Sequence, residues 1–231
     1  MGNTDNIVNE KWTGEIDRPI RVWTNPKIYD DIYLHFSGTL KTVKYYSEEI
    51  KGKVLDIGSG NSPYRSYFKN VDEYIKVDNR DYSDIDIIAE ITERIPLDDE
   101  SIDSVVCTQV LEHIMYPEKA INEIFRVLKP GGVCLLTTHM AAPLHGEPFD
   151  YYRFTKYILL EYFKLFQTCE IKAEGGAILS IIQLMVWGVS IKLPNLLGIP
   201  LIVILNSIGK IFDYMFYDPV FTLNYSVFAR K

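Results

Sequence analysis

The sequence predicts an α/β protein built on a doubly wound, mostly parallel sheet. Two observations predict it. Short apolar runs, several stopped by Gly, Asp or Glu, alternate with segments of helical spacing, and such alternation pairs strands in parallel with helices on both faces. The chain, at 231 residues and 47% hydrophobic content, is also long enough to bury one substantial core.

The elements follow in order. Residues 1–25 show little periodicity and read as a loose arm. From Pro26 to Ile50, Ile28, Ile32, Phe36, Leu40 and Val43 recur at helical spacing among charges. Residues 1–50 are thus expected as an arm and a helix, and 51–231 as the main domain. Five apolar runs come next: 53–58, 73–79, 84–91, 102–109 and 132–139. Between the last two, Pro117 and Glu118 suit a first helical turn, Ala120, Ile121, Ile124, Phe125 and Leu128 form one apolar face, and "KPGG" stops the helix. A helix over 155–166 and strands over 168–174 and 224–230 complete the pattern, seven strands in all.

Residues 177–217 differ from the rest. "AILSIIQLMVWGVSI" and "LIVILNSIG" are apolar blocks separated by Lys192, Pro194, Asn195 and Pro200. Each is shorter than the roughly 20 residues a membrane-spanning helix needs, so the expectation is an apolar helical insertion before the last strand. It would lie in a membrane interface, cover a lipid-like acceptor, or serve as a dimer face or lid. Val186 is a position where a charge would test this.

Composition excludes some functions. A formal charge of −7 and no run of Lys or Arg argue against a nucleic-acid surface. Cys107, Cys134 and Cys169 are odd in number and lack metal-ligand spacing, so free thiols, with Cys107 and Cys134 buried, are expected. The N-terminal "MGNTDNIVNEKW" has no apolar signal core, and Asn6 breaks the myristoylation pattern, so a cytoplasmic location is expected.

Ligands of a doubly wound sheet bind outside the carboxyl ends of its strands. Asp56, Gly58 and Gly60 close the first strand, Asp78 the second, Glu90 the third and Gln109 the fourth. A dinucleotide loop has a third glycine that helps seat pyrophosphate; here Pro63 stands in that place, and Asp56 would repel phosphate. An ammonium group suits Asp56, and Asp78, about 20 residues on, suits a ribose diol. A nucleoside with an amino-acid tail fits both.

"VLDIGSG", "VDN", "ERIPLDDESIDSVVCTQVLEHI" and "EIFRVLKPGGVCLL", in this order and spacing, resemble the class I S-adenosylmethionine-dependent methyltransferases of type 11, over about 53–139. The resemblance implies a Rossmann-like fold and S-adenosylmethionine as cofactor. It implies that Asp56 and the Gly58–Gly60 loop bind the methionine moiety and that Asp78 takes the ribose hydroxyls. Glu90 and Ile91 would flank the adenine, where the family more often has Asp, and Gln109 would line the cofactor.

On the acceptor side, an oxygen acceptor needs a base near neutral pH, and His is the usual choice. Of four histidines, His35 falls on the first helix and reads as structural or surface. "LEH" resembles the ubiquinone-type O-methyltransferases, in which a Glu-x-x-Glu-His run can hold a metal. Here it reads Gln109-x-x-Glu112-His113, a neutral amide replaces the first ligand, and no metal is expected; Glu112 and His113 frame the pocket. "HGEPFDYYRFT" (145–155) follows the fifth strand and resembles a methyltransferase subgroup met near polysaccharide and cell-envelope biosynthesis. His145, with His113, is the candidate catalytic histidine. Asp150, Tyr151 and Arg153 are candidate acceptor residues, Arg153 pairing with Asp150 or an anionic substrate. The expected function is methyl transfer from S-adenosylmethionine, at oxygen, to a small-molecule, sugar or lipid-linked acceptor. The alternatives are a nicotinamide-dependent oxidoreductase and a non-catalytic cofactor-binding partner protein.

Overall fold

The glycine-stopped apolar runs pair into one seven-stranded sheet in a computed structural model that describes residues 18–81 and 84–231. Most of the arm expected over 1–25 lies outside the described residues. The strands are β1 (Lys51–Ile57), β2 (Asn70–Asp78), β3 (Ile87–Ile88), β4 (Ile102–Thr108), β5 (Leu128–His139), β6 (Thr168–Glu174) and β7 (Asn224–Arg230). Their order is β3-β2-β1-β4-β5-β7-β6, with β7 antiparallel to both neighbours and the other pairings parallel. Strand order therefore reverses at β1, between β2 and β4, and this is where the fold places a ligand.

The helices are α1 (Arg21–Thr24), α2 (Tyr33–Tyr46), α3 (Pro117–Val127), α4 (Lys156–Tyr162), α5 (Ala177–Lys192) and α6 (Asn195–Met215). Alternate residues of the central strands feed opposite faces, as the strand period of two requires. Leu55, Val105, Cys107, Cys134 and Leu136 join the α3/α4 core. Val54, Val106, Val133 and Leu135 pack against Leu40, Val43 and Tyr46 of α2. Cys107 and Cys134 are buried free thiols, and Cys169 is half-buried.

Several boundaries differ from expectation: β2 and β5 start earlier, at Asn70 and Leu128, so Leu128 and the "KPGG" run belong to β5 rather than to the end of α3, and α4 ends earlier, at Tyr162. The first long helix starts at Tyr33 rather than Pro26, because the Asp30 carboxylate accepts the Lys27 N–H (2.6 Å) and holds a turn there, tied to Arg21. β3 is only Ile87–Ile88 instead of 84–91. It pairs with Val77 and Asp78 alone, Asp84 has φ +79°, and the Asp86 carboxylate accepts the Lys76 N–H instead of extending the strand. The second apolar block is a continuous 21-residue helix, α6, that runs through Pro200 and begins at Asn195. A proline there removes one hydrogen bond close to the helix start, and the rest of the helix closes normally. By length and composition α6 is apolar enough to cross a membrane, and it is mostly exposed.

The α5–α6 hairpin is the apolar insertion. It leaves the carboxyl end of β6 and returns to the amino end of antiparallel β7, so both ends sit at the edge of the sheet where β1, β2, β4 and β5 finish. Ala177 N–H donates to Asp218 O (2.8 Å) and closes its base. Two buried amides lock it to the N-terminal segment. Gln183 accepts the His35 N–H (3.2 Å) and donates to Asp31 O (2.6 Å), while Asn206 donates to Ile28 O (2.7 Å) and Asp30 O (3.1 Å).

Candidate active site

A cavity of about 640 Å³ opens at the carboxyl ends of β1, β2 and β4. Gly58, Gly60, Asp78, Glu90, Ile91, Gln109, His113, His145 and Tyr151 all line it. Asp56, Asp150 and Arg153 do not; they hold the walls from behind.

The two glycines serve different needs. Gly58 has φ +62°, and a Cβ there would sit 2.4 Å from Val110 Cγ2, so the β1 turn presses on the loop after β4. Gly60 has φ +45°, but a Cβ there would meet nothing within 4 Å, because it would enter the cavity. A glycine that is bare toward open space suits close approach of a ligand to backbone. Behind the loop, the Asp56 carboxylate is buried and accepts hydrogen bonds from Ser62 Oγ (2.8 Å) and Tyr74 OH (2.7 Å). Burial pushes its carboxyl up to about 6, although both hydroxyls and Lys76 act to lower it.

Asp78 Oδ2 accepts the Gly60 N–H (3.1 Å) and Oδ1 the Arg80 N–H (3.1 Å), which aims the carboxylate along the cavity wall with lone pairs to spare. Glu90 and Ile91 follow β3 on the same wall. Gln109 sits at φ +57°, a conformation rare for a side-chain-bearing residue. Its Nε2 donates to Thr137 Oγ1 (2.9 Å), leaving Oε1 buried without a partner. The bare Gly60 backbone, the tethered Asp78 and the orphaned Gln109 oxygen fit a nucleoside with an amino-acid tail.

The other end of the cavity is aromatic, with Tyr116, Phe149 and Tyr151 around His113 and His145. The loop after β5 is pinned there: Tyr151 N–H and Tyr152 N–H both donate to Glu112 O (2.9 and 3.2 Å). Arg153 donates to both Asp150 oxygens (2.6 and 2.8 Å) and to Ala142 O and Pro143 O (3.1 and 2.8 Å), so it staples the loop. Asp150 in turn accepts the His145 N–H (3.0 Å). Burial pushes the Asp150 carboxyl up, but Arg153 and the His145 N–H outweigh it and hold the group below the usual carboxylate range.

His113 Nδ1 lies 2.7 Å from Phe149 O and His145 Nδ1 3.1 Å from Pro143 O. A carbonyl only accepts, so each Nδ1 carries the proton and each neutral ring keeps its lone pair on Nε2. The two rings meet edge to face, 4.7 Å apart, and one oxygen or nitrogen from each of Glu112, His113 and His145 falls within 4.8 Å of the others.

Sequence reasoning missed the residues that act through packing: Tyr74 and Ser62 behind Asp56, Arg80 and Tyr116 on the wall, and His139. The His139 ring lies against His145 (4.8 Å) and His35 (5.0 Å), with Nε2 3.1 Å from Glu112 Oε1. His35 is buried and structural, its pKa lowered to about 3, chiefly by burial. His139, at the end of β5, had the same strand-end signal as Gln109.

Comparisons with known proteins agree with this fold. Residues 55–136 match the family described as a methyltransferase domain. A human thiol S-methyltransferase is 49% identical over 47 residues, 20% of this chain and 19% of that protein. A probable S-adenosylmethionine-dependent methyltransferase of Mycolicibacterium smegmatis is 44% identical over 57 residues, 25% of this chain and 22% of that protein. The matched stretches thus span about a fifth of those relatives' length. A crystal structure of an S-adenosylmethionine-dependent methyltransferase from Archaeoglobus fulgidus superposes with TM-score 0.56 at 15% identity, over 91% of this chain and 97% of that one. Residues 55–136 match a methyltransferase domain, and the chain shares the fold of a solved S-adenosylmethionine-dependent methyltransferase.

Proposed function

We propose that the protein transfers the methyl group of S-adenosylmethionine to an oxygen of a small-molecule, sugar or lipid-linked acceptor, while resting on a membrane surface. The observation that carries this is one cavity in which the Gly58–Gly60 turn, Asp78, Glu90–Ile91 and Gln109 share a wall with His113 and His145. The cofactor would supply a methyl group on a positively charged sulfur, and in-line displacement leaves the protein chiefly the task of alignment. The bare turn and Asp78 would hold the tail and the ribose, and Gln109 Oε1 would gain the partner it lacks. An oxygen acceptor must lose a proton, and His113 or His145 would take it on Nε2. The aromatic rim suits the apolar face of a sugar or an apolar head group.

The membrane contact draws support from position. The insertion and the cavity rise from the same edge of the sheet, and Ala142 of the acceptor loop packs against the core shared by α2, α5 and α6. A lipid-linked acceptor could then reach the cavity without leaving the surface.

Calorimetry with S-adenosylhomocysteine tests the cofactor wall. Micromolar-range affinity is expected, falling about tenfold or more in Asp78→Ala, because a charged hydrogen-bond partner is removed. Unchanged affinity in that variant would move the site elsewhere. Binding without turnover across hydroxylated sugar and polyprenyl-linked acceptors would favour the non-catalytic alternative.

A further inference from the structure

We infer that Glu112, His113 and His145 form a binding site for a divalent transition-metal cation at the acceptor end of the cavity. The inference goes beyond methyl transfer, and its test uses neither cofactor nor acceptor. One donor atom from each residue lies within 4.8 Å of the other two. Ligands about 2.1 Å from a four-coordinate ion stand roughly 3.4 Å apart, so the side chains need to close by about 1 Å or a little more.

The supporting contacts are those a metal site needs. Ligating histidines donate their second N–H to a carbonyl or carboxylate, which fixes the tautomer and aims the lone pair at the ion. His113 does this to Phe149 O and His145 to Pro143 O, with Asp150 Oδ2 a further 3.5 Å contact for His145. His145 is only 5% exposed, and its Nε2 has no partner, which is costly for a buried polar atom unless something occupies it. The Glu112 carboxylate is fully buried and oriented by the Thr138 hydroxyl at 2.7 Å. Gly146 seats the His113 ring, since a Cβ there would lie 2.8 Å from Cε1.

The donor set selects the ion. Two imidazoles with one carboxylate suit zinc, cobalt(II), iron(II) or manganese(II), while magnesium prefers oxygen ligands and retained water. Three protein ligands leave at least one position for water or an acceptor oxygen, whose acidity the ion would raise. With the ion bound, the imidazole lone pairs serve the metal, and the ion, not a histidine base, sets the acceptor's acidity. Sequence spacing conceals the set because the third donor arrives on the loop that docks on the Glu112 backbone.

Cobalt(II) titration of the purified protein, followed by visible absorption, tests the proposal. One equivalent should bind at micromolar concentration or tighter, with the intensified bands of a low-coordinate ion, and zinc should displace it. His113→Ala and His145→Ala should each weaken binding about tenfold or more, with circular dichroism confirming the fold. Zinc-edge anomalous diffraction from zinc-soaked wild-type crystals checks the position without any variant. Absence of stoichiometric binding, a peak elsewhere, a sulfur charge-transfer band that places the ion on a cysteine, or folded variants that bind like wild type would each overturn the proposal.

Discussion

Asp56 and Asp150 are both nearly enclosed carboxylates beside the cavity, yet their surroundings move them in opposite directions. Two neutral hydroxyls do not compensate for burying Asp56, whose carboxyl rises to about 6; an arginine fork more than compensates for burying Asp150, which stays below the usual range. The consequences for stability carry opposite signs. A raised folded pKa contributes stability that is complete below the unfolded value of about 3.9 and is lost as pH rises through the folded value. Asp56 should therefore make stability decline between about pH 4 and 6. Asp150 contributes above about 3.9 and is lost as pH falls further, so the two windows separate. Asp56→Asn keeps an oxygen for Ser62 and Tyr74 but cannot ionise. Urea unfolding across pH 4 to 7 should show a flatter profile for the variant than for the parent. An identical slope in both would mean that Asp56 ionises as it does in the unfolded chain.

At the scale of elements, the insertion is held by close approach as much as by hydrogen bonds. Gly209 of α6 faces α2, and a Cβ there would lie 2.8 Å from Leu34 Cδ1 and 3.3 Å from Ile182 Cγ2. Gly209→Val should force α6 away from both and cost about 1–3 kcal/mol, read as a lower unfolding midpoint, with little change in cofactor affinity because the cavity lies on other elements. A midpoint equal to the parent's would show that Leu34 yields freely. Helix contacts of this kind explain what the sequence could and could not disclose. β1, β4 and α3 were legible because their signals are local: apolar runs with glycine stops, and an amphipathic face behind Pro117. β3 was overdrawn because Asp84 and Asp86 bend an edge strand that has one neighbour. Pro200 looked like a break, but near a helix start it removes only one bond. In the site, Gly58, Gly60, Asp78 and Gln109 were legible because strand ends carry them. The Arg153–Asp150 pair was legible from neighbouring positions in one loop, whereas the roles of Tyr74 and His139 depend on which segments pack together, and linear spacing does not encode that.

For the whole molecule, the unresolved balance is between a net charge of −7 and an uncovered apolar face. Leu196 is 85% exposed, and Leu197, Ile204, Ile211 and Met215 continue the exposed side of α6. Apolar area this contiguous is unusual on a protein that stays in water. Negative charge gives no attraction to anionic lipid, so burial of side chains among acyl chains must carry any affinity. Vesicles of neutral phosphatidylcholine should therefore bind the protein, and added salt should matter little. Val186, which the pattern alone offers as a test position, is fully buried against α2, and a charge there would disturb the fold before it reported on lipid. Ile204, more than half exposed, is the better position. Ile204→Glu should cut vesicle co-sedimentation about tenfold or more while leaving S-adenosylhomocysteine affinity and the unfolding midpoint near the parent's. A parent that ignores vesicles but forms a dimer, lost in Ile204→Glu, would sink the membrane reading and make this face a contact between two copies of the chain.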